Sequence, residues 1–558
     1  MFFFKKRPIT DGKIVCPYCF EKAFRNDEVL FRDPADNNKT YNPSEDGGTF
    51  IYSEFIDQNG KTNKVVRGYI PKGKSASYVL TERLCPHCKK KIPKNLGLSE
   101  SKVLAVVGST QIGKTVFIFS LLDELNKNLA NKFTNMNFSF EEPSMLAEFK
   151  QKMKEIRSGK LQPTPPGKDI KPIIVNIKNN TTNQLIVVSF YDFAGESTAD
   201  QIKVISKRQI DNASAMLILF DLTQSETMFK SVKKKQIAYE TSKKTELVNA
   251  LGISVEDIEK IVNLYSFNNS NSVNVEALKQ EVEKLQGALN DANYKKMIAQ
   301  DELSLHRAET EIANLINRLN DAKSKLNEMN GQKDEFMSKI FDILHRDITA
   351  EELEKINEIT RRDKKIHRLD EDMKHYGEHY IEAIGEYSSL DTPADWVGTV
   401  FASGIDTAIA EGANTRTPIA VVGTKSDEIY EAIVGNYAET VNESNRALFD
   451  AFVPQLIAVP NQKKNVLNLS EIDKISVFVE NQLLQNDGAF KSHLDTLFSD
   501  KTYFAVSALG TKYIDKEEID SNGNITYVKE LEADIHPWRV DEPLLWLLYR
   551  LGMINGSN

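Results

Sequence analysis

A lysine and a threonine stand at the end of a glycine-bounded loop, in a spacing that suits phosphate binding. The loop GSTQIGKT runs from Gly108 to Thr115, between the apolar run VLAVV and the amphipathic run VFIFSLLDEL. This is the P-loop pattern in its strand–loop–helix setting. Gly108 and Gly113 let backbone N–H groups surround phosphate oxygens. Lys114 can reach the β- and γ-phosphates, and the Thr115 hydroxyl can bind Mg²⁺. A plain glycine turn is the alternative, but the regular flanks favour a nucleoside triphosphate site.

A second phosphate-site candidate follows the apolar run LIVVSF. There Asp192 ends a predicted strand, and Gly195 follows three residues later. Asp192 can hold Mg²⁺ through water opposite Thr115, while the Gly195 N–H can contact a γ-phosphate. Loss of that phosphate would release the contact and let the following segment relax. The spacing therefore predicts a nucleotide-dependent switch.

A base-reading loop is predicted further along the chain. The tetrapeptide AVVG precedes the P-loop and recurs before TKSD, while the run TYFAV precedes a Ser-Ala pair. In a doubly wound sheet, ligands bind beyond the carboxyl ends of parallel strands, so these loops can meet on one nucleotide. A carboxylate only accepts hydrogen bonds, which matches the ring N–H and amine of guanine but not adenine. A lysine stem would pack over the base, and a backbone N–H would meet the guanine carbonyl. The residues are Thr424, Lys425, Asp427, Ser507 and Ala508.

All four cysteines belong to two CPxC pairs, Cys16 with Cys19 and Cys85 with Cys88. Each pair suits a tight knuckle, and two knuckles complete a tetrahedral four-thiolate zinc site. A redox dithiol is the alternative, but it would not need a matching second pair. His87 lies inside a knuckle and is interpreted as a spacer. Because thiolates fill every position, the predicted zinc is structural. The segments DGGTFIYSEF and NKVVRGYI between the pairs are typical of short antiparallel strands.

A long insertion separates the predicted strands AMLILFDLTQ and PIAVVG. Apolar residues recur there at alternating steps of four and three, with one break in phase, which predicts an antiparallel coiled-coil hairpin. We place its turn near Asn330-Gly331 and a capping box at Thr349 and Glu352. A compact helical subdomain is the alternative. The repeating residues are Leu278, Val282, Leu285, Leu289 and Ala292, and then Leu305, Ala308, Ile312, Leu315, Leu319, Ala322, Leu326 and Met329.

Length and charge limit the class of protein. The chain has 558 residues, which suggests about three domains, and its formal charge of −9 argues against general nucleic-acid binding. It contains no run of about 18 apolar residues, so no membrane span is expected. The start MFFFKKRPIT does not have the order of charged and apolar residues found in a secretory signal, and a cytoplasmic location is predicted.

GSTQIGKT, DFAG, TKSD and SAL match, in order, four of the five nucleotide motifs of the Ras-like, translation-factor class of P-loop GTPases, and the chain resembles that class. It is similar in closer pattern to the bacterial double-GTPase family of conflict and defence systems, in which a cysteine-rich ribbon precedes the P-loop. A helix like VDEPLLWLLYRLG closes the domain in that family. Here Asp541 can cap this helix, and Pro543 suits its first turn.

The resemblance implies GTP and GDP as ligands, with Mg²⁺, and catalytic roles for Lys114, Glu196 and Thr164. Glu196 and Thr424 depart from the pattern. Glu196 stands where many relatives have glutamine, and a carboxylate cannot donate to the transferring phosphoryl group, so slow hydrolysis is expected. Thr164 is the best-placed first-switch threonine, although its flanking prolines also suit a plain loop. Thr424 replaces the usual asparagine of the base-reading motif.

These features predict an α/β protein with a P-loop GTPase doubly wound sheet, an N-terminal zinc ribbon and a helical coiled-coil insertion. We expect a GTP-hydrolysing switch that engages a protein partner through the insertion, and homo-oligomer formation is compatible with it. The alternatives are a nucleotide-regulated scaffold and a dynamin-like mechanochemical GTPase. The expected ranges are 1–97 for the ribbon, 98–225 and 398–558 for the GTPase domain, and 226–397 for the insertion.

Overall fold

The computed structural model describes residues 13–21, 23–25, 27–56, 62–94, 96–97, 101–108, 113–159, 172–182, 184–190, 212–268, 275–298, 302–376, 417–457, 464–511, 513–519 and 525–557. The chain divides into two compact units, which are described separately. The first unit is Met1–Lys235 with His375–Asn558, and the second is Gln236–Lys374. None of the described helices combines the length and the apolar character needed to cross a membrane.

Short antiparallel strands surround the two cysteine pairs. β3 lies between β4 and β7, β1 pairs with β2, and β5 pairs with β6. The predicted antiparallel strands between the cysteine pairs are confirmed by the β5–β6 register. A short helix, α1 (Pro43–Asp46), precedes β5. The strands are β1 (Lys13–Ile14), β2 (Phe24–Arg25), β3 (Leu30–Asp33), β4 (Asp36–Tyr41), β5 (Thr49–Ile56), β6 (Thr62–Ile70) and β7 (Arg83–Leu84).

A seven-stranded, mostly parallel sheet forms the centre of the first unit. Its strands are β8 (Ser101–Gly108), β9 (Met136–Phe140), β10 (Ile173–Asn179), β11 (Leu185–Phe190), β12 (Ala215–Asp221), β13 (Ile419–Thr424) and β15 (Lys501–Ala505). The order across the sheet is β15-β13-β12-β8-β11-β10-β9. β10 pairs antiparallel with both of its neighbours, and the central pairs are parallel. The predicted α/β class with a doubly wound sheet is confirmed.

Successive residues of the central strands face opposite sides of the sheet, which explains their continuous apolar runs. In β8, Val103, Ala105 and Val107 belong to one apolar cluster, and Leu104 and Val106 belong to another. The helices α2 (Lys114–Lys132) and α3 (Pro143–Arg157) pack against the second cluster through residues such as Leu121 and Phe149. Because both faces are covered, the strand ends are the accessible part of the sheet.

The described part of the second unit consists mainly of helices. α6 and α7 pack antiparallel along an apolar seam that includes Leu285 and Leu319, with an ion pair of 3.2 Å between Lys295 and Glu311. A second apolar cluster joins α4, α5, α7 and α8. The predicted capping box is confirmed, because Glu352 N–H donates to Thr349 Oγ1 over 3.2 Å. The helices are α4 (Glu226–Leu251), which crosses the unit boundary, α5 (Val255–Asn268), α6 (Val275–Ile298), α7 (Glu302–Leu344) and α8 (Ala350–Lys374).

The predicted turn of this hairpin was wrong. α7 continues without interruption through residues 330 and 331, whereas the two antiparallel helices are separate at the point where α6 ends at Ile298 and α7 begins at Glu302. That point falls within the break in heptad phase between Ala292 and Leu305. A change of phase was therefore the better signal for the turn than the Asn330-Gly331 dipeptide.

The carboxyl-terminal part completes the first unit. β14 (Val466–Asn468) pairs with β18 (Asn555–Ser557), and β16 (Tyr513–Ile519) pairs with β17 (Ile525–Leu531). The helices are α9 (Ser426–Val434), α10 (Arg446–Ile457), α11 (Leu469–Phe478), α12 (Gly488–Leu497) and α13 (Glu542–Arg550). Asp541 precedes α13, but its side chain makes no capping bond and instead binds Lys132 of α2 over 2.5 Å. Asp541 thus stands at the predicted N-cap position, but the prediction that its side chain caps the helix was wrong, because the carboxylate binds the ammonium of Lys132 instead.

The ribbon and the sheet share one apolar core. Cys16 and Phe20 belong to the same cluster as the sheet residue Val103. Two side chains at the sheet also bind the first knuckle directly. Ser189 Oγ donates to the Pro17 carbonyl over 2.7 Å, and Asn212 Nδ2 donates to the Phe20 carbonyl over 2.9 Å. The stability of the ribbon is therefore coupled to that of the sheet.

Candidate nucleotide site and metal centre

The P-loop candidate lies between β8 and α2. β8 ends at Gly108 and α2 begins at Lys114, with residues 109–112 outside the described part of the chain. Gly113 precedes α2 with a φ of 78°, and an added Cβ would meet nothing within 4 Å. Glycine is needed there for its backbone conformation rather than for space. Lys114 is 4% exposed, and Thr115 follows it in the first turn. Both side chains stand at the amino end of a helix, where the helix dipole favours an anion.

The two AVVG strands end at the same edge of the sheet. β8 and β13 each pair in parallel with β12, with Gly108 opposite Leu219 and Thr424 opposite Asp221. Neighbouring strands lie about 4.8 Å apart, so the two loops leave this edge about 10 Å from each other. One nucleotide can span that distance from its phosphates to its base.

The TKSD loop is tied to both neighbouring strands. Thr424 ends β13, Lys425 has a φ of 61°, and α9 begins at Ser426. Thr424 Oγ1 donates to the Phe220 carbonyl on β12 over 3.1 Å. Ser426 N–H donates to the Val506 carbonyl, directly after β15, over 3.1 Å. The loop is thus held at its first and third residues.

Asp427 lies in the first turn of α9, beside the Ser-Ala pair. Burial raises the pKa of Asp427, and a hydrogen bond from the Ser507 side chain opposes this shift. Ser507 Oγ also accepts from Gly510 N–H over 2.9 Å. Ser507 N–H donates to the Trp538 carbonyl over 3.2 Å. Because Ser507 N–H has this partner, Ala508 N–H is the remaining candidate of the predicted pair for a base carbonyl.

A buried ion network fixes the backbone that holds Ser507. Arg539, next to Trp538, has a side chain that is only 1% exposed and lies 2.7 Å from Glu542 and 2.9 Å from Glu471. Its guanidinium also donates to the Gln455 carbonyl over 2.9 Å. Removing one partner of such a buried pair leaves an uncompensated charge, which typically costs about 3–5 kcal/mol. The Arg539 ion network therefore holds the Trp538 backbone, to which Ser507 is hydrogen-bonded, in a fixed position.

Asp221 is a member of this edge that the sequence analysis missed. It ends β12, is 4% exposed, and accepts hydrogen bonds from Thr223 N–H and Thr223 Oγ1 over 2.8 and 2.6 Å. The Lys425 ammonium binds its other oxygen. The run LILFDLT contains the same signal that identified Asp192, an apolar strand that ends in aspartate. The contact with Lys425 could not be found from that signal alone.

Gly423, the last residue of the second AVVG, is required for close packing. A Cβ at this position would lie 2.5 Å from Leu222 Cγ, and Leu222 is fully buried. Overpacking of this kind costs about 1–3 kcal/mol. The 3₁₀ turn Leu222–Gln224 comes directly after β12, and its residue Leu222 packs against Gly423 at the end of β13.

Four predicted site residues lie outside the described residues. They are Thr164, Asp192, Gly195 and Glu196. The structure brings the others to two places on one sheet edge. Gly108, Gly113, Lys114 and Thr115 lie around the P-loop, and Thr424, Lys425, Asp427, Ser507 and Ala508 lie around the base-reading loop.

The four cysteine sulfurs form a compact cluster. Cys16 Sγ and Cys88 Sγ are 3.8 Å apart, as are Cys19 Sγ and Cys85 Sγ, and all four lie within 4.8 Å of one another. Zinc–thiolate bonds of about 2.3 Å in a tetrahedron place the sulfurs about 3.8 Å apart. The donor set therefore fits zinc. His87 is exposed and does not belong to the cluster, in agreement with its interpretation as a spacer.

The two knuckles have the same backbone design. Phe20 N–H donates to the Cys16 carbonyl and Lys89 N–H to the Cys85 carbonyl, each over 3.0 Å. Phe20 and Lys89 both have a positive φ, of 50° and 57°. These values lie in the left-handed region, which favours glycine. Phe20 also fills the core, whereas Lys89 is exposed.

Replacing Lys89 with glycine is expected to stabilise the ribbon by about 1 kcal/mol, because glycine adopts a φ of 57° without steric cost. Thermal or urea unfolding of the zinc-loaded protein measures the effect. Lys90→Gly is the matched control, since Lys90 does not have a positive φ, and it should be destabilising. Equal losses of stability in both variants would contradict the backbone argument.

The fold and this edge define a class of protein. A mostly parallel sheet in which a P-loop strand and a second loop-bearing strand flank β12 is the core of a P-loop nucleoside triphosphatase. Residues 102–320 match the model of the Double-GTPase 2 family. This match supports a P-loop GTPase of the double-GTPase type and confirms the resemblance found in the sequence. The matched segment ends before TKSD. A comparison with curated proteins found no match.

Proposed function

We propose that this protein is a GTP-binding and GTP-hydrolysing molecular switch. The observation that carries the proposal is the shared sheet edge. The amino end of α2, with Lys114 and Thr115, and the first turn of α9, with Asp427, follow strands that flank β12 in parallel. A nucleotide placed across this edge has its phosphates at the helix dipole and its base at the carboxylate.

Asp427 would select guanine. Its carboxylate would accept from the ring N–H and the exocyclic amine, while Ala508 N–H would donate to the guanine carbonyl. Adenine offers a ring acceptor and no neighbouring amine at those positions. The pKa of Asp427 is raised by burial, so the carboxylate is lost at a higher pH than in an ordinary aspartate. Guanine affinity should therefore be retained at neutral pH and fall as the solution is acidified.

Nucleotide titration tests this function directly. We expect the purified protein to bind labelled GTP and GDP, and unlabelled GTP to compete far better than ATP. Lys114→Ala removes a charge from the phosphates and should abolish triphosphate binding in the same assay. Equal competition by ATP and GTP would refute guanine specificity, and binding unchanged by Lys114→Ala would refute the P-loop assignment.

Hydrolysis would use residues of both phosphate loops. Mg²⁺, held by Thr115 and through water by Asp192, would neutralise charge on the phosphates. Gly195 N–H would sense the γ-phosphate, and Thr164 would complete the first switch. Lys114 would stabilise charge on the transferring group. Glu196 would accept a hydrogen bond from the attacking water, and its inability to donate supports a slow intrinsic rate.

Glu196→Ala is expected to lower the GTP hydrolysis rate by about tenfold or more while changing GTP affinity little, because an acceptor for the attacking water is lost. Single-turnover hydrolysis and equilibrium binding separate the two effects. Glu196→Gln supplies the donor that the carboxylate lacks, and should hydrolyse at least as fast as the parent. Turnover of Glu196→Ala equal to that of the parent would remove Glu196 from catalysis.

The other parts of the chain have supporting roles in this proposal. Cys16, Cys19, Cys85 and Cys88 would hold a zinc ion that stabilises the ribbon. The coiled-coil insertion at 226–397 would engage a protein partner or a second copy of the chain. A cytoplasmic role in a bacterial conflict or defence system is part of the proposal, and it is supported by the resemblance of the nucleotide motifs and the cysteine pairs to the double-GTPase family. Co-purification with and without the helices α6 and α7 identifies the partner.

A further inference from the structure

We infer that Asp221 is a positioning residue that holds the Lys425 side chain in the place where it covers a bound purine. This inference rests on the proposed guanine site. The Lys425 ammonium binds Asp221 Oδ2, and the backbone of Lys425 is fixed in the left-handed region with a φ of 61°. Both ends of the four-carbon stem are thus fixed before any nucleotide binds.

The two oxygens of Asp221 have separate tasks. Oδ1 accepts from Thr223 N–H and Thr223 Oγ1 and so caps the turn after β12. Oδ2 faces Lys425. The Asp221 side chain is 5% exposed and that of Lys425 is 38% exposed. A carboxylate this buried is costly unless a cation compensates it. The cation in turn has a fixed partner, although one side of the lysine remains open to solvent.

This arrangement lowers the entropic cost of nucleotide binding. A lysine stem loses much of its rotamer freedom when it packs on a ring. Here the ion pair orders the stem in the free protein, so less freedom is lost on binding. A stem over the face of a ring does not distinguish one purine from another. Asp221 should therefore affect the affinity for every purine nucleotide equally, whereas Asp427 affects base choice.

Asp221→Asn separates the two tasks of the carboxylate. The amide oxygen can still accept from Thr223, but the amide NH₂ faces the Lys425 ammonium and cannot bind it. We expect about tenfold weaker binding of GDP, equivalent to about 1.4 kcal/mol, with the ratio of GDP to inosine diphosphate affinities unchanged. Thr223→Val removes a hydroxyl from Oδ1 and leaves the ion pair intact. It should keep the parent GDP affinity within about twofold.

A double-mutant cycle with Lys425→Met completes the test. If Asp221 acts through Lys425, the double variant should bind GDP about as weakly as either single variant. Multiplied effects in the double variant would overturn the inference. So would a lowered melting temperature of Asp221→Asn with unchanged GDP affinity, which indicates a purely structural carboxylate. A parent protein that does not bind GDP at all would refute the proposed function. A parent that binds GDP, together with an Asp221→Asn variant that binds it equally well, would refute only the inference about Asp221.

Discussion

Asp427→Asn should weaken guanine nucleotide binding by about two orders of magnitude and shift the preference of the protein to xanthine nucleotides. Hydrogen bonds to a charged group contribute about 1.5–3 kcal/mol each, and the variant loses at least one of two. Its amide turns a donor toward donors of guanine. Xanthine has a carbonyl in place of the exocyclic amine, and the new amide can donate to it. Competition titrations with GTP, xanthosine triphosphate and ATP measure the shift.

Glu428→Gln is the matched control, because it removes the same charge one residue away. Glu428 faces Lys235 of α4 at 2.6 Å, so the change should leave base preference unaltered. Titration against pH adds a second criterion. Parent affinity should fall on acidification as the raised pKa of Asp427 is crossed, and the Asn variant should lack that fall. A variant that still prefers GTP would mean that TKSD is a surface turn without contact to the base.

The position of the nucleotide site could be predicted because the central strands of the sheet are recognisable in the sequence. Every residue of β11, β12 and β13 is buried, and strands covered on both faces are continuous apolar runs. The polar loops then mark the carboxyl ends. β9 was not predicted, since it is an edge strand in which buried and more exposed residues alternate, and it has no neighbouring motif.

Contacts between distant parts of the chain could not be predicted. Lys132 and Asp541 are 409 residues apart, and Asp221 and Lys425 are 204 residues apart. A local pattern identifies Asp541 as a helix cap and Asp221 as a strand end, and it contains no information about which cation lies opposite. The sheet order decides these pairs, so the ion partners follow only from the folded structure.

The helical hairpin of α6 and α7 shows a different limit of prediction from sequence. Heptad positions predicted the apolar seam of α6 and α7, but they do not show where a helix stops. Gly331 costs about 1 kcal/mol relative to alanine inside a helix. The 43-residue α7 tolerates this cost because it is packed on both sides of that point, through Leu319 in one cluster and Ile340 in another. Tertiary packing therefore outweighed the local turn preference of Asn330-Gly331.

Cys16→Ser is expected to release zinc and to lower the melting temperature of the whole first unit by about 10 °C or more. Binding of a structural zinc contributes on the order of 10 kcal/mol to folding, and three thiolates bind it much more weakly than four. The loss should reach the sheet, because Cys16 and Phe20 share an apolar cluster with Val103, and Ser189 binds the carbonyl of Pro17. Metal analysis and thermal unfolding with bound GDP measure both effects.

His87→Ala is the matched control, since His87 lies in the second knuckle without belonging to the sulfur cluster. It should retain one zinc per chain and the parent melting temperature. Treatment of the parent with a strong chelator covers the case in which Cys16→Ser does not fold, and it should reproduce the destabilisation until zinc is restored. If the chelated protein melts like the zinc-loaded one, the cysteine cluster does not stabilise the sheet. A parent protein purified without zinc would show that the four sulfurs do not form a structural metal centre.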